Sequence, residues 1–339
     1  MSPTIKDIAK AAGTDIRVVS LTLRDHPDAE RFRQETRERI KRIAKEMGYE
    51  RNRMAASVRT GVVHAIALVG DLVPGKEWVI PAELLSGIAA RANLYDFQVR
   101  LFPGEDLEKI FSEIRGCRIP YVICTSGLAE TEKMVAKLCK KYGLSLALLW
   151  ENTFEGFPVV NTKIEMGAAL AVEHLASLGH KRIGLITVPE RDFFYIKAHK
   201  EAFRKALEKE ALPLQNELIT DKGEDLEELK KFLKKAVENG PCGFFCTADS
   251  IAVRTLFCAR ELKLQVPEEL SIVGYGCGKY PAELAPIPLT AIRENPFEQG
   301  VKAVDLLLKK NGVVPEKNNF VYITPQLEKG FTTGVPRTE

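Results

Sequence analysis

Residues 4–23 read TIKDIAKAAGTDIRVVSLTL, and their spacing decides how the rest of the chain is understood. Thr4 and Asp7 stand three apart, the capping-box arrangement in which a hydroxyl and a carboxylate satisfy the first free amides of a helix. Ile5, Ile8, Ala9 and Ala12 then recur at helical spacing and give that helix one apolar face. Gly13 is placed to stop it, because glycine enters the left-handed conformation at least cost. Asp15 or Thr14 caps a second short helix, with Ile16, Val19 and Leu23 expected on one side. Two short helices about a glycine turn form a helix-turn-helix, whose second helix can enter a DNA major groove. The same spacing also suits a plain corner between two helices of a larger core. The rest of the chain has to separate the two.

Beyond Leu23 a polar stretch containing Pro27 leads to a third helix, QETRERIKRIAKEMG, with Ile40, Ile43, Ala44 and Met47 as its apolar stripe and Gly48 as its stop. Its outer face carries Arg37, Arg39, Lys41, Arg42 and Lys45. In YERNRMAASVRTG, Arg51, Arg53 and Arg59 flank a small apolar run too short to be a stable helix alone, so it is expected to order only against a partner. Residues 1–60 hold 14 lysines and arginines against 9 acids, whereas the other 279 hold 35 against 37. A basic head on a near-neutral body fits a polyanion-binding module joined to something else.

That body alternates apolar runs with amphipathic stretches. HAIALVG, YVICTS, LSLALLW, RIGLITV, GFFCTA and ELSIVGY read as strands buried on both faces, and the segments between them read as helices. The pattern predicts two α/β units of similar size, each with a parallel sheet, facing each other across a cleft. LTAIREN, FEQGVKAVDLLLKK and NNFVYIT are expected to return to the first unit.

Composition excludes several function classes. No apolar run approaches the roughly 20 residues that span a bilayer, and MSPTIKD has no basic-then-apolar leader, so a cytoplasmic protein with no membrane partner is expected. Seven scattered cysteines form no C-x-x-C pair, and Cys242 and Cys246 have no companions at zinc spacing. They read as reduced thiols. There is no phosphate-binding G-x-x-x-x-G-K-[ST] and no G-x-S-x-G elbow. GYGCGK at residues 274–279 lacks dinucleotide spacing, and the five histidines form no H-E-x-x-H pair. Neither catalysis, nor a metal, nor a cofactor is expected.

TIKDIAKAAG, ETRERI, GY followed by N-x-x-A, and RTG together resemble the head of the lactose/galactose repressor (LacI/GalR) family. EHLASLGHKRIGLI, VPEELSIVGY and PLTAIRENPFEQGVKAVDLLL extend the resemblance through the body. It implies a helix-turn-helix domain over residues 1–49, a hinge helix over 50–61, and a periplasmic-binding-protein-like core over 62–339 of two doubly wound parallel subdomains. Within that core, about 62–160 with part of 290–325 forms one subdomain, and about 161–289 with the C-terminal segment forms the other. His180, in GHKRI, is read as a structural turn residue.

The resemblance also implies a homodimer on a pseudo-palindromic double-stranded operator, each head reading one half-site. Ile16, Arg17 and Leu21 fall at groove-facing positions; Arg17 suits guanine O6 and N7, and the two apolar chains suit thymine methyls. Thr4, Ser20 and Thr22 are expected at phosphates. Asn52, Ala55, Val58 and Arg59 belong to the implied hinge helix, which pairs with its dimer mate in the minor groove, Val58 standing where the family has a leucine wedge. Val18 and Leu21 depart from the family's usual Thr and Arg.

A small molecule, a sugar or related metabolite, is implied in the cleft, and Trp78, Trp150, His199, Asp249 and Tyr275 are its expected contacts. His199 replaces the family's cleft arginine, Ala248-Asp249 its N-D pair, and Gly276 its acid. With no heptad leucines after GFTTGVPRTE, a coiled-coil tetramer is not expected. The competing reading is a solute-binding protein without a regulatory role; the basic head argues against it.

Overall fold

The computed structural model describes residues 3–23, 27–50, 63–70, 80–150, 154–190, 194–276 and 287–337. The chain divides into two compact units, Met1–Val62 and Val63–Glu339. The proposed hinge segment from residue 51 to residue 61 lies outside the described residues.

In the first unit, α1 (Ile5–Ala12), α2 (Ile16–Thr22) and α3 (Gln34–Glu46) enclose a small core. The capping box forms: Thr4 donates its amide to Asp7 Oδ2 at 2.8 Å, and the Asp7 amide reaches back to Thr4 Oγ1 at 3.4 Å. The Thr4 hydroxyl and then the Thr4 amide, both donating to Asp7 Oδ2, hold that carboxyl below its ordinary range. Gly13 closes α1 at φ 59°, and Asp15, not Thr14, caps α2 by accepting from the Arg17 amide at 2.6 Å. Ile8, Ala9, Ala12, Val19, Ile40 and Ala44 pack together. One sequence expectation is corrected here. Ile16 is 42% exposed, and the inward face of α2 is Val19 with Thr22.

The second unit holds two sheets. The first is built from β1 (Ala65–Val69), β2 (Gln98–Phe102), β3 (Tyr121–Cys124), β4 (Ser145–Leu149), β5 (Val159–Thr162) and β11 (Phe320–Ile323), in the order β11-β5-β4-β3-β1-β2. The second is built from β6 (Ile183–Ile186), β7 (Ile219–Thr220), β8 (Cys242–Cys246), β9 (Leu270–Gly276), β10 (Thr290–Arg293) and β12 (Gln326–Glu328), in the order β12-β10-β9-β8-β6-β7. All pairings are parallel except β10 with β12. Central strands such as β1, β5, β6 and β8 are buried along their whole length, which explains why they read as unbroken apolar runs.

The helices are α4 (Ala82–Leu94), α5 (Leu107–Gly116), α6 (Ala129–Tyr142), α7 (Ile164–Ser177), α8 (Phe194–Lys209), α9 (Leu226–Val237), α10 (Asp249–Glu261) and α11 (Pro296–Leu307). They cover both faces of each sheet, giving two apolar clusters per sheet. Helix α11 returns to the first sheet and packs along α4, but β10 does not: it pairs with β9 in the second sheet. LTAIREN was expected in the first unit; its register with the Val273–Gly276 backbone places it in the other.

At the α4–α11 crossing, Gly87 and Gly300 leave no room for side chains. A Cβ on Gly87 would lie 2.1 Å from the Phe297 carbonyl oxygen, and one on Gly300 would lie 2.4 Å from that of Leu84. Asp305, buried on α11, ties the far end of the pair. It takes Arg91 at 3.0 Å, the Tyr95 hydroxyl at 2.8 Å and the Asn311 amide at 3.1 Å.

The segment after β12 is pinned across the start of the second sheet. Thr332 Oγ1 donates to the Ile272 carbonyl at 2.6 Å, and His180 Nε2 lies 2.9 Å from Ser271 Oγ and 3.1 Å from the Gly334 carbonyl. Burial lowers the His180 pKa, which fits the structural part expected of it. Cys124, Cys139, Cys242, Cys246 and Cys258 are buried, and Cys117 is exposed. Among the described residues no helix is long and apolar enough to cross a membrane, and no group of His, Cys, Asp or Glu is arranged to hold a metal.

Candidate nucleic-acid interface and effector cleft

In the head, packing decides which side chains of α2 are left outside. Val19 is anchored in the core, so the opposite side of this seven-residue helix presents Ile16 and Arg17, both exposed. Ser20 and Leu21 are half-buried beside them. Thr22, expected at a phosphate, faces inward at 1% exposure, so its hydroxyl is not on the reading surface. The phase of the helix is the reason: Thr22 stands one turn beyond Val19 and shares its side. Thr4 is exposed, but its hydroxyl proton is given to Asp7 Oδ2 at 2.7 Å. Asn52, Ala55, Val58 and Arg59 lie outside the described residues, as does Trp78.

In the body, short crossings bring the two sheets' carboxyl ends together. β5 ends at Thr162 and α7 begins at Ile164; β10 ends at Arg293 and α11 begins at Pro296; β11 ends at Ile323 and β12 begins at Gln326. Gln299 Nε2 donates to Thr162 Oγ1 at 2.7 Å, and that hydroxyl donates to the Glu294 carbonyl at 3.4 Å, joining the first two crossings. In each sheet the strand order reverses beside its first strand, between β1 and β3 and between β6 and β8. Ligands of open α/β sheets bind outside the carboxyl ends at such switch points.

Hydroxyls cluster at both reversals. Past β3, Thr125 Oγ1 donates to the Val69 carbonyl at 3.3 Å, with Ser126 next to it. Past β6 and β8, Thr247 Oγ1 donates to Thr187 Oγ1 at 3.0 Å. Trp150 stands at the end of β4 with φ 85°, donates Nε1 to the Thr125 carbonyl at 3.4 Å, and packs on the first sheet's apolar cluster.

The remaining expected contacts gather on the second sheet. Tyr275 lies on β9, with the His199 ring 4.4 Å from its own and edge-on to it. His199 is enclosed at 2% exposure by Tyr195, Phe245 and Tyr275; burial lowers its pKa to about 3, so the ring is neutral. It is therefore an internal residue of the aromatic cluster and not an open wall. Asp249 opens α10 at 5% exposure. Its Oδ2 accepts from Arg293 Nη1 at 3.0 Å, and burial raises its pKa to about 6 against the pull of that guanidinium. Gly276 makes this seat possible: a Cβ there would stand 2.9 Å from Asp249 Oδ2.

Sequence reasoning missed Arg293, Thr125, Thr187 and Thr247. A threonine follows each of the apolar runs YVIC, IGLI and CGFFC by one residue, and that repetition was the available signal.

Profile comparisons match the head, residues 4–52, to bacterial regulatory proteins of the lacI family, and residues 172–333 to the periplasmic binding protein-like domain. The HTH-type transcriptional regulator DegA of Bacillus subtilis (strain 168) is 27% identical over 309 residues, spanning 89% of each chain. A Lac repressor dimer solved bound to operator and the anti-inducer ONPF superposes with a TM-score of 0.69 at 20% identity, covering 98% of this chain and 100% of that one. The transcriptional regulator CelR in complex with cellobiose superposes with a TM-score of 0.65 at 21% identity, covering 97% and 99%. With a lacI-type head and a periplasmic-binding-protein-like body in one chain, the protein belongs to the lactose/galactose repressor family of bacterial regulatory proteins.

Proposed function

We propose that this transcriptional regulator is a repressor that binds a pseudo-palindromic operator as a homodimer, and that a small molecule held between the two sheets alters its hold on DNA. The observation that carries the DNA-reading part is the capped, core-anchored α2, which leaves Ile16 and Arg17 outward. A guanidinium in that place matches the two acceptors of guanine, and Ile16 and Leu21 offer apolar surface to thymine methyls. A head of this kind reads one half-site, so two copies are needed for a palindrome. The effector part is supported by the hydroxyls and aromatic rings at both switch points and by the short crossings that let the lobes move as units. A ligand acts on DNA binding only through a difference in affinity for the two lobe arrangements, typically about 1–3 kcal/mol of coupling. In the related complexes, operator DNA and cellobiose occupy proteins of the same fold.

Footprinting on the DNA flanking the protein's own gene tests this directly: a protected palindrome is expected. For Arg17→Ala, the expected result in a gel-shift titration is a loss of about 1–3 kcal/mol on the specific site with the weak, salt-dependent binding to random duplex retained. Equal loss on both duplexes would remove Arg17 from the reading surface.

A further inference from the structure

The amino edge of the first sheet, where the chain enters the body ahead of β1, is basic. The sheet is parallel, so α4, α5, α6 and α11 all end at this edge and turn there into β2, β3, β4 and β11. From the last turn of each helix to the strand that follows, these turns hold eight lysines and arginines and four acids. One of the four, Asp305, is buried and takes Arg91 at 3.0 Å. Arg115, Arg118, Lys141, Lys309, Lys310 and Lys317 are all exposed, against Asp96, Glu113 and Glu316. Glu155, in the turn before β5, is taken by Lys140 at 2.6 Å.

The cations stand on both sides of the chain's entry. β1 lies between β3 and β2, and Arg118 precedes β3 by three residues. α5 packs on one face of β1 and α11 on the other, so Arg115 and Arg118 come from one side and Lys309 and Lys310 from the opposite one. Two rings hold some of them in place: Arg115 lies 4.4 Å over the Tyr142 ring and Lys310 lies 5.9 Å from the centre of the Tyr95 ring. Residues 51–62, which lead to this edge, hold three arginines and no acid.

Cations at helix ends complement the helix dipole and need no ligand. The second sheet shows what that effect alone gives. Its four helix-to-strand turns, into β6, β7, β8 and β9, hold seven lysines and arginines and seven acids. Glu261, Glu268 and Glu269 all fall between the last turn of α10 and β9. The excess therefore belongs to the lobe whose first strand follows the head. Exposed, unevenly balanced cations have the chemistry of a contact to backbone phosphates, which carries no sequence information. Fully extended, residues 51–62 span at most roughly 40 Å, so a head on DNA keeps this edge near the same duplex. Such a tether raises the effective concentration to about the millimolar range, where a weak contact counts.

We propose that the amino edge of the first lobe is a second, sequence-independent DNA contact, in which Arg115, Arg118, Lys309 and Lys310 bind backbone phosphates beside the site that the head reads. The proposal rests on the reading of the head as a DNA-binding module.

The test follows binding of the full-length protein to a random-sequence duplex of about 40 base pairs by fluorescence anisotropy, across a salt series. One variant combines Arg115→Gln, Arg118→Gln, Lys309→Gln and Lys310→Gln. Another removes the same charge from the second lobe through Lys181→Gln, Lys209→Gln, Lys234→Gln and Lys235→Gln, at positions that are exposed as well. Each phosphate contact adds about 0.9 to the slope of log K against log salt. The expected result is a slope lower by about 2–4 in the first variant and unchanged in the second, with the melting transitions showing that both are folded. Lys309→Gln with Lys310→Gln alone gives about half that fall, and it carries the test if the fourfold variant does not fold. Equal slopes in the parent and the first-lobe variants, or an equal fall on removing charge from either lobe, overturns the proposal and leaves DNA binding by the head standing. No binding by the parent at any salt removes the reading of the head and this contact with it.

Discussion

Gly87→Ala is expected to destabilise the body by about 3 kcal/mol, read as a fall in Tm on the order of 5–10 °C. The methyl would sit 2.1 Å from the Phe297 carbonyl oxygen, and the obstacle is backbone. No rotamer change relieves it; α4 and α11 have to move apart. That movement opens the packing of Leu84, Ile88, Ala303 and Val304, all buried in one cluster beneath the crossing. It also strains the Asp305 network that fastens the other end of the same helix pair. Gly116→Ala is the matched control, since Gly116 is helical and has nothing within 4 Å of a new Cβ. There the lower entropy of the unfolded chain is expected to leave stability unchanged or raised by about 0.5–1 kcal/mol. If the two variants melt together, the close approach at the crossing is not what it is taken to be.

The second large effect is a pair of opposed pH dependences. His199 has its pKa lowered by burial to about 3, from an ordinary 6.5. As pH falls below about 6.5 the unfolded chain takes up a proton that the folded chain refuses, so stability is lost on acidification until about pH 3. Asp249 has its pKa raised from 3.8 to about 6, mainly by burial. As pH rises from about 4 to 6 the unfolded chain gives up that proton first, so stability is lost on alkalinisation across the window. Each slope is at most about 1.4 kcal/mol per pH unit, and between about pH 4 and 6 they offset one another. In urea titrations across pH 4–7, His199→Phe is expected to shift the stability maximum toward acid. Asp249→Asn is expected to steepen the acid loss. Parallel profiles for both variants and the parent would show that neither group titrates as its burial implies.

What the sequence disclosed follows the range of the interaction concerned. The Thr4–Asp7 box, the Gly13 stop and the end of α3 near Gly48 are made by residues within a few positions of each other, and they were legible. The strands showed as apolar runs because both faces of the sheets are covered. β10 was assigned to the wrong sheet because nothing local in LTAIREN distinguishes pairing with β9 from pairing with β5. In the proposed cleft, Asp249 and Tyr275 were named through the resemblance, while Arg293 was not. Its partners Asp249 and Glu328 are 44 and 35 positions away, and an arginine ending a strand looks like any solvated charge. Thr22 was misplaced for a smaller reason. The resemblance put it at a phosphate, but it stands one turn beyond the buried Val19 and shares its side.

Parallel pairing of Val159 with Phe320 has a consequence for the order in which the chain can be built. The head is contiguous and can fold as soon as it leaves the ribosome. The first lobe starts at β1, but its edge strand and the helix that locks α4 arrive only after the second lobe has been almost wholly synthesised. The second lobe in turn waits for β12 and for Thr332, which bonds to β9 and β10. Both lobes therefore close together, within the last few tens of residues, through contacts of long sequence separation that form slowly. A nascent chain halted before Phe320 would present a finished DNA-reading head on a body with two open sheet edges. Unpaired strand edges of that kind are ready templates for pairing with other chains.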